Sequence, residues 1–490
     1  MLEPEKIAVI DVGSNSCRLV IYERAGAALL PYFNEKSTVG LGRGLPETGK
    51  LSPDGKKKAL KTFHRFNAIL SGLGVRKIYA VATAAVREAD DGPEFREEAE
   101  QALGVSLRVL SGAEEGYFSA LGVATGFRRA KGLVADLGGS SMELQRVGKG
   151  ANQAAGETYL LGPLSRPDDQ DLPIEKRRKV IRKILAVSGL LPSKSGWLFA
   201  VGGAWRNVAA VHMELTDYPL GVAHGYELDR AALGQVIEVA DQARNDKEIQ
   251  VRLMRVSKRR YETLLHAALV LDCLMEIAEA GTVHISAYGL REGLVVGAEQ
   301  LAVEDGLLDT AGLYFKLSEA SLAFGEDLFR FVEPILGQVD QSMDVLRAIC
   351  LMADAGARLH PDHRCQLVFE QVLRAPIPAL THEQRLFAAL AIAARYSYKF
   401  DAPSEVAKLM SAQLCAEAKL VGTAMRLGGV FSGRSAPILN SACLSLDGDR
   451  LNLRVLEKNR DMVSSTVKRR LQQLATLLQI EGEAEIVASL

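Results

Sequence analysis

The chain has 490 residues, and its 59 Lys and Arg nearly cancel its 60 Asp and Glu, for a formal net charge of −1. No global field draws such a chain onto nucleic acid or a membrane surface, so an anionic ligand must be held by local geometry. Six scattered cysteines (Cys17, Cys273, Cys350, Cys365, Cys415 and Cys443) without a Cys-x-x-Cys pair argue against a disulfide framework or a thiolate zinc site, and at roughly 100–200 residues per domain the length predicts about three domains.

In chain order, residues 1–6 lack the basic start and long apolar run of a signal peptide, and no apolar stretch reaches the ~18 residues of a transmembrane helix. A cytoplasmic location without membrane contact is expected. Residues 5–35 predict a hairpin plus a third strand, opening on Ile7-Ala8-Val9-Ile10-Asp11-Val12-Gly13-Ser14-Asn15-Ser16. The apolar run delivers Asp11 to a strand end, and Gly13, Ser14, Asn15 and Ser16 then turn the backbone so that consecutive N–H groups line up on an anion. Apolar alternation resumes at Cys17, Leu19 and Ile21, so the turn joins two strands rather than opening a helix. Residues 40–45 read as a mobile loop. The next helix is capped by Ser52, has Pro53 and Asp54 in its first turn, and runs to Leu70 before Gly72 stops it. A strand over 77–82 leads into residues 83–87, a helix covers 94–102, and a strand over 105–110 leads into a helix at Ser111. Strands alternating with helices in this order predict an α/β layer around a sheet.

The pattern restarts at Gly132. Leu133-Val134-Ala135-Asp136-Leu137-Gly138-Gly139-Ser140-Ser141 repeats the first cassette, and strand alternation resumes at Met142 and Leu144. Alone, either cassette reads as an ordinary glycine-rich hairpin; the pair, with an acid at the same place in each, reads as one phosphate cradle used twice. A charged helix near 175–185, a strand over 197–201 followed by Gly202-Gly203, a helix over 261–280 and a strand over 283–286 complete a second half. Residues 1–130 and 131–300 are thus expected to be two α/β domains related by a weak duplication, with the site between them. From 305 to 490 amphipathic helical patterns dominate (317–323, 343–357, 383–396, 463–478), with a mixed segment near 436–455, and predict a mainly helical module.

Ser111-Gly112-Ala113-Glu114-Glu115 holds the leading catalytic candidate. Ser111 and Glu114 have the spacing of a capping box, which leaves Glu115 without that structural task in the first turn of a helix. It is either a general base that takes a proton from water attacking phosphorus or a solvated acid. Asp11, Asp136 and Glu143 form a second constellation, because phosphoryl transfer needs charge on the phosphate oxygens offset, commonly by Mg2+ held through one or two carboxylates and waters. Glu143 lies seven residues after Asp136 and either returns to the same cleft or faces outward. Arg87 offers a guanidinium fork to phosphate oxygens or makes a surface salt bridge. The basic runs at 56–58, 176–179 and 258–260 read as solvated faces unless they line one groove. His360, His363 and Asp354 read as structural rather than as metal ligands.

With these residues in hand, the chain resembles the exopolyphosphatase/guanosine pentaphosphate phosphatase family of the actin-like ATPase superfamily. The resemblance rests on the two cassettes, residues 83–87, the Ser111–Glu115 segment, Gly202-Gly203 with Arg206-Asn207, His224-Gly225-Tyr226, and Gly289-Leu290-Arg291-Glu292-Gly293. It implies two ribonuclease-H-like α/β domains around a cleft, followed by a mainly helical C-terminal module resembling a degenerate HD domain. It makes Glu115 the base, the turns at 13–16 and 138–141 phosphate loops, Asp136 and Glu143 Mg2+-associated acids, and Arg87 a phosphate contact. The substrate it implies is inorganic polyphosphate, with guanosine pentaphosphate (pppGpp) as the competing reading. An actin-like kinase or ATPase and a non-catalytic polyphosphate sensor stand further off, and a homodimer is expected. The chain departs from the family pattern at Ala204-Trp205, which argues against a nucleotide pocket, and at Ala353-Asp354, which argues against metal phosphohydrolase chemistry in the helical module.

Overall fold

The first apolar run is buried, and strand alternation sorts its side chains onto two faces. Ala8, Ile10 and Val12 enter one core, while Ile7 and Val9 enter another on the opposite face. A computed structural model describes residues 4–148, 155–165, 172–192, 196–257, 261–302 and 306–490. The chain divides into two compact units, Pro4–Gly306 and Leu307–Leu490.

The first unit contains two sheets. Strands β1 (Glu5–Val12), β2 (Ser16–Ala25), β3 (Ala28–Thr38), β4 (Lys77–Ala82) and β5 (Leu107–Val109) stand in the order β3-β2-β1-β4-β5. Strands β6 (Gly132–Leu137), β7 (Met142–Val147), β8 (Glu157–Tyr159), β9 (Trp197–Val201), β10 (Glu227–Asp229) and β11 (Thr282–Ile285) stand in the order β10-β11-β9-β6-β7-β8. Each sheet is built outward from a hairpin whose first strand also pairs in parallel with a later strand: β1 with β2 and β4, β6 with β7 and β9. The second sheet therefore repeats the first and adds β10 at its edge.

Helices α1 (Leu45–Thr48), α2 (Pro53–Gly72), α3 (Ala84–Glu88) and α4 (Gly92–Leu103) follow the first hairpin, and α2 and α4 bury Phe63, Phe66 and Phe95 against the outer face of the first sheet. Ser52 accepts a hydrogen bond from the Gly55 amide at 3.2 Å, the cap the sequence predicts. The outer face of the second sheet is covered by α6 (Ile174–Leu185), α7 (Gly203–Leu215), α8 (Arg230–Gln242), α9 (Lys247–Ser257) and α10 (Tyr261–Ile277). Between the sheets lie α5 (Gly112–Gly126) and α11 (Leu290–Glu299). Phe118 of α5 packs with Ile7 and Val9, whereas Ala120 and Val123 of the same helix pack with Val134 and Phe199. At ~1.5–3 kcal/mol for each large apolar side chain fully buried, these contacts fix α5 against both sheets. The two helices cross closely: a Cβ at Gly293 would stand 1.7 Å from the Phe118 carbonyl oxygen, and one at Gly122 would stand 2.1 Å from that of Gly289.

The 40–45 segment differs from its expected mobility. Leu41 is fully buried, and the amides of Gly40 and Gly42 donate to the carbonyls of Asn15 (3.0 Å) and Ser14 (2.8 Å), so the segment braces the first turn. Of the basic runs, Lys56 and Lys58 pair with Asp91 and Asp54, Arg178 pairs with Asp272, and 258–260 lie outside the described residues.

The second unit opens with α12 (Gly306–Tyr314) and continues through α13 (Glu319–Leu336), α14 (Met343–Leu351), α15 (Arg364–Arg374), α16 (His382–Tyr396), α17 (Ser404–Ala407), α18 (Ala412–Ser432), α19 (Ala436–Leu439) and α20 (Ser465–Leu478). A sheet of β12 (Ala442–Asp447), β13 (Arg450–Leu456) and β14 (Glu481–Val487) completes it. Asp354 is paired with Arg395 at 2.8 Å, and the rings of His360 and His363 lie 5.8 Å apart, tilted by 40°. Among the described residues no group of three or more His, Cys, Asp and Glu is placed to enclose a metal, and no helix is long and apolar enough to cross a membrane.

Candidate active site

Strand parity decides which side chains reach the space between the sheets. Asp11 shares its face of β1 with Ile7 and Val9, Asp136 shares its face of β6 with Val134, and Glu143 shares its face of β7 with Val147, so all three turn inward with the residues that pack around α5. Across β1 and β2, Asp11 stands opposite Arg18; across β6 and β7, Asp136 stands opposite Glu143. The turns beyond them close alike, with the Gly13 amide on the Ser16 carbonyl (3.1 Å) and the Gly138 amide on that of Ser141 (2.8 Å). They also face each other: a Cβ at Gly139 would stand 3.4 Å from Cβ of Ser14 and 3.7 Å from that of Asn15.

A cavity of about 270 Å3 opens between the two hairpins, and every site residue expected from the sequence lines it except Arg87. Glu115 reaches it from the first turn of α5. The capping box is present, with the Ser111 amide on Glu114 at 2.8 Å and the Glu114 amide on the Ser111 hydroxyl at 3.2 Å, which leaves the next carboxylate to the cavity. Glu115 is buried, and burial raises its carboxyl to about 8 against the opposing pull of Arg87, with Asp136 and Asp11 adding to the rise. A carboxyl held near neutrality is matched to taking a proton from water.

Arg87 corrects an expectation. Its guanidinium donates to Glu115, to the Leu110 carbonyl at 2.8 Å and to Glu88 at 2.9 Å, and it is not among the residues of the cavity wall. Trp205 corrects another. It is fully buried in the core of the second sheet with its indole N–H on the Ala267 carbonyl at 2.9 Å, and it does not touch the cavity, so it neither fills nor forms a nucleotide pocket.

Four cations that the sequence reading did not assign line the cavity: Arg18, Lys36, Arg206 and Arg291. Arg18 and Lys36 are register partners on β2 and β3, so Asp11, Arg18 and Lys36 form one row across three strands. The signal was parity, since Arg18 lies two residues beyond Ser16 on the same face. Ser119, one helical turn after Glu115, donates its hydroxyl to Oδ2 of Asp136. Burial raises the carboxyls of Asp11, Asp136 and Glu143; Arg291 and Arg18 oppose the rise at Asp11, Ser119 opposes it at Asp136, and Glu115 adds to it at Glu143.

The sequence model of the Ppx/GppA phosphatase family matches residues 19–302. The chain belongs to the Ppx/GppA phosphatase family. The model of the exopolyphosphatase C-terminal region matches residues 336–483 of this family member. Exopolyphosphatase 1 of Mycobacterium leprae is 28% identical to it over 309 residues, 59% of this chain and 88% of that protein. Exopolyphosphatase 1 of Mycobacterium tuberculosis is 26% identical over 307 residues, 59% and 87% of the two chains. Among solved structures, the Ppx/GppA protein of Aquifex aeolicus is similar with a TM-score of 0.52 at 23% identity, over 60% of this chain and 98% of that one. An exopolyphosphatase from Cytophaga hutchinsonii is similar with a TM-score of 0.53 at 20% identity, over 61% and 99%. These likenesses show the fold, a mixed α/β architecture shared with those proteins.

Within this Ppx/GppA fold the second hairpin suits a hard cation. Two carboxylates directly opposed across a ladder repel one another, and Glu143 Oε1 is buried without a hydrogen-bond partner. No cluster of three or more metal-binding side chains forms a cage among the described residues. One or two carboxylates with the remaining positions left to water and phosphate oxygens is the binding mode of Mg2+ rather than of zinc. Asp11 stands apart from this pair because its cross-strand partner is Arg18.

Proposed function

We propose that this phosphoanhydride hydrolase is an exopolyphosphatase that releases terminal orthophosphate from inorganic polyphosphate. One observation carries the reading: a single cavity is lined by the buried Glu115, whose carboxyl is raised to about 8, by the two facing glycine–serine turns and by the opposed acids Asp136 and Glu143. The cradles at 13–16 and 138–141 hold the terminal phosphoryl group through backbone N–H donors. Glu115 takes a proton as the water oxygen bonds to the terminal phosphorus. The bond from phosphorus to the bridging oxygen breaks, its electron pair leaves with the shortened chain, and orthophosphate departs with the oxygen of water. Arg87 holds the Glu115 carboxylate in place, and Arg18 and Lys36 meet the phosphate charge from the first sheet. Asp136 and Glu143 would hold Mg2+, which when bound offsets charge on phosphate oxygens, while Asp11 lines the same cavity paired across the ladder with Arg18.

The exopolyphosphatase relatives and the C-terminal family match favour the polymer. The competing substrate is pppGpp, and the burial of Trp205 removes the sequence argument against a nucleotide. We read the helical unit as a degenerate HD module that serves binding or pairing of subunits rather than hydrolysis, since Arg395 occupies the carboxylate of Asp354. Orthophosphate release from long-chain polyphosphate and from pppGpp, measured side by side, tests the assignment. Preference for polyphosphate is expected, and a large preference for the guanosine compound would overturn it.

A further inference from the structure

Helix α5 carries more than the base. It meets the acids of the second hairpin at successive positions: Glu115 opens into the cavity, Gly116 lies against β7 so that a Cβ there would stand 3.6 Å from Cβ of Glu143, and Ser119 bonds Asp136. Glu115 and Ser119 are four residues apart and so share one face of the helix. A serine inside a helix ordinarily turns its hydroxyl back to the carbonyl four residues earlier. Ser119 is almost wholly buried and instead donates across to the strand. The helix is itself clamped, since the Gly122 and Gly293 crossings with α11 leave no room for it to slide. Beside the same oxygen of Asp136, a Cβ at Gly289 would stand 3.9 Å away, so Oδ2 is backed by α5 and the start of α11.

We propose that Ser119 is a positioning residue of the cleft: by donating to Oδ2 of Asp136 it leaves Oδ1 as the oxygen available to a cation or its water, and it ties the helix that bears Glu115 to the strand that bears the acid. Base and cation-binding carboxylate then move as one piece. The inference rests on the exopolyphosphatase reading above and adds to it a residue that touches neither substrate nor the reacting atoms. It is a matter of geometry at one carboxylate, of the kind that outer partners of metal ligands impose.

The test uses the full chain, with Mn2+ as a spectroscopic stand-in for Mg2+. Binding of Mn2+ to the substrate-free protein is followed by electron paramagnetic resonance, and kcat and KM are measured on polyphosphate. For Ser119→Ala, Mn2+ affinity is expected to fall ~10–100-fold, the usual effect of losing an outer partner. A fall in kcat of about tenfold with KM held within about twofold is expected beside it, the pattern of a contact that matters in the transition state. Ser119→Thr keeps the hydroxyl and restores both. Should the alanine variant fail to fold, Ser119→Cys, a weak donor of similar volume, replaces it in the same comparison. Wild-type protein that binds Mn2+ and hydrolyses polyphosphate, with a folded donor-deficient variant indistinguishable from it, would overturn the role of Ser119 alone. Wild-type protein that does neither would overturn the underlying reading and the role together.

Discussion

The two hairpins of the first unit share a spacing and a turn but not a partner. In each, an acid stands one residue before the end of the first strand, a four-residue turn closes glycine to serine, and the residue seven positions after the acid stands opposite it. In the first hairpin that residue is Arg18; in the second it is Glu143. The first is thus a balanced pair continued by Lys36 into a row that suits phosphate, and the second is an unbalanced pair that suits a cation. On the proposed reading, one charge reversal at equivalent positions of a repeated scaffold makes one hairpin the anion side and the other the cation side, with Glu115 between them on the helix that packs on both sheets.

Among changes to the two hairpins, the largest effect should come from balancing the second. Glu143→Gln removes one of the opposed charges, and since a metal ion supplies several kcal/mol to the transition state, turnover should fall by roughly 10³-fold at 1.36 kcal/mol per decade. Calorimetric titration with Mg2+ should show binding weakened in parallel; unweakened binding would end the division proposed between the hairpins. Unbalancing the first hairpin is the smaller counterpart. Arg18→Met deletes a charged donor worth ~1.5–3 kcal/mol and should raise KM for polyphosphate about tenfold or more, with metal affinity unchanged. A loss of metal affinity in that variant would show that the two sides are not separate.

The smallest effect concerns the acid between them. Burial raises the Glu115 carboxyl to about 8 while Arg87 pulls it down, so the proposed base is ionised above that pH and protonated below it. Turnover should therefore decline on the acid side, and Arg87→Gln, by removing the opposing charge, should move that limb to higher pH. A pH–kcat profile with an unmoved limb would take Arg87 out of the base's environment.

Local chemistry was legible in the sequence. The Ser52 cap and the Ser111–Glu114 box depend on residues three apart and formed as read, and because the box accounts for Glu114, Glu115 was left as the candidate. Asp11 and Asp136 were legible because a charge at the end of a buried strand stands out. Glu143, two-sided in the sequence, was settled by the register that sets it against Asp136. Arg87, two-sided in the sequence, pairs with a carboxylate on a different helix, and whether a guanidinium faces phosphate or carboxylate depends on how those helices pack. The turn after Gly203 was misread for a related reason: Ala204 lines the cavity whereas Trp205, one residue on, points into the core. The 40–45 glycines resembled a free loop because their bonds go to the backbone of a distant turn, which carries no side-chain signature. Strand β14 alternates Glu481, Glu483 and Glu485 with Gly482, Ala484 and Ile486, a period-two signal made faint by the small residues on its inner face, and it pairs in parallel with β13.

The measurement that bears most directly on the whole account is single-turnover hydrolysis and equilibrium binding of polyphosphate by Glu115→Gln. Binding should stay near the wild-type value while turnover falls by ~10²–10⁴-fold, the contribution of a general base. Turnover equal to that of the unaltered chain would contradict the account.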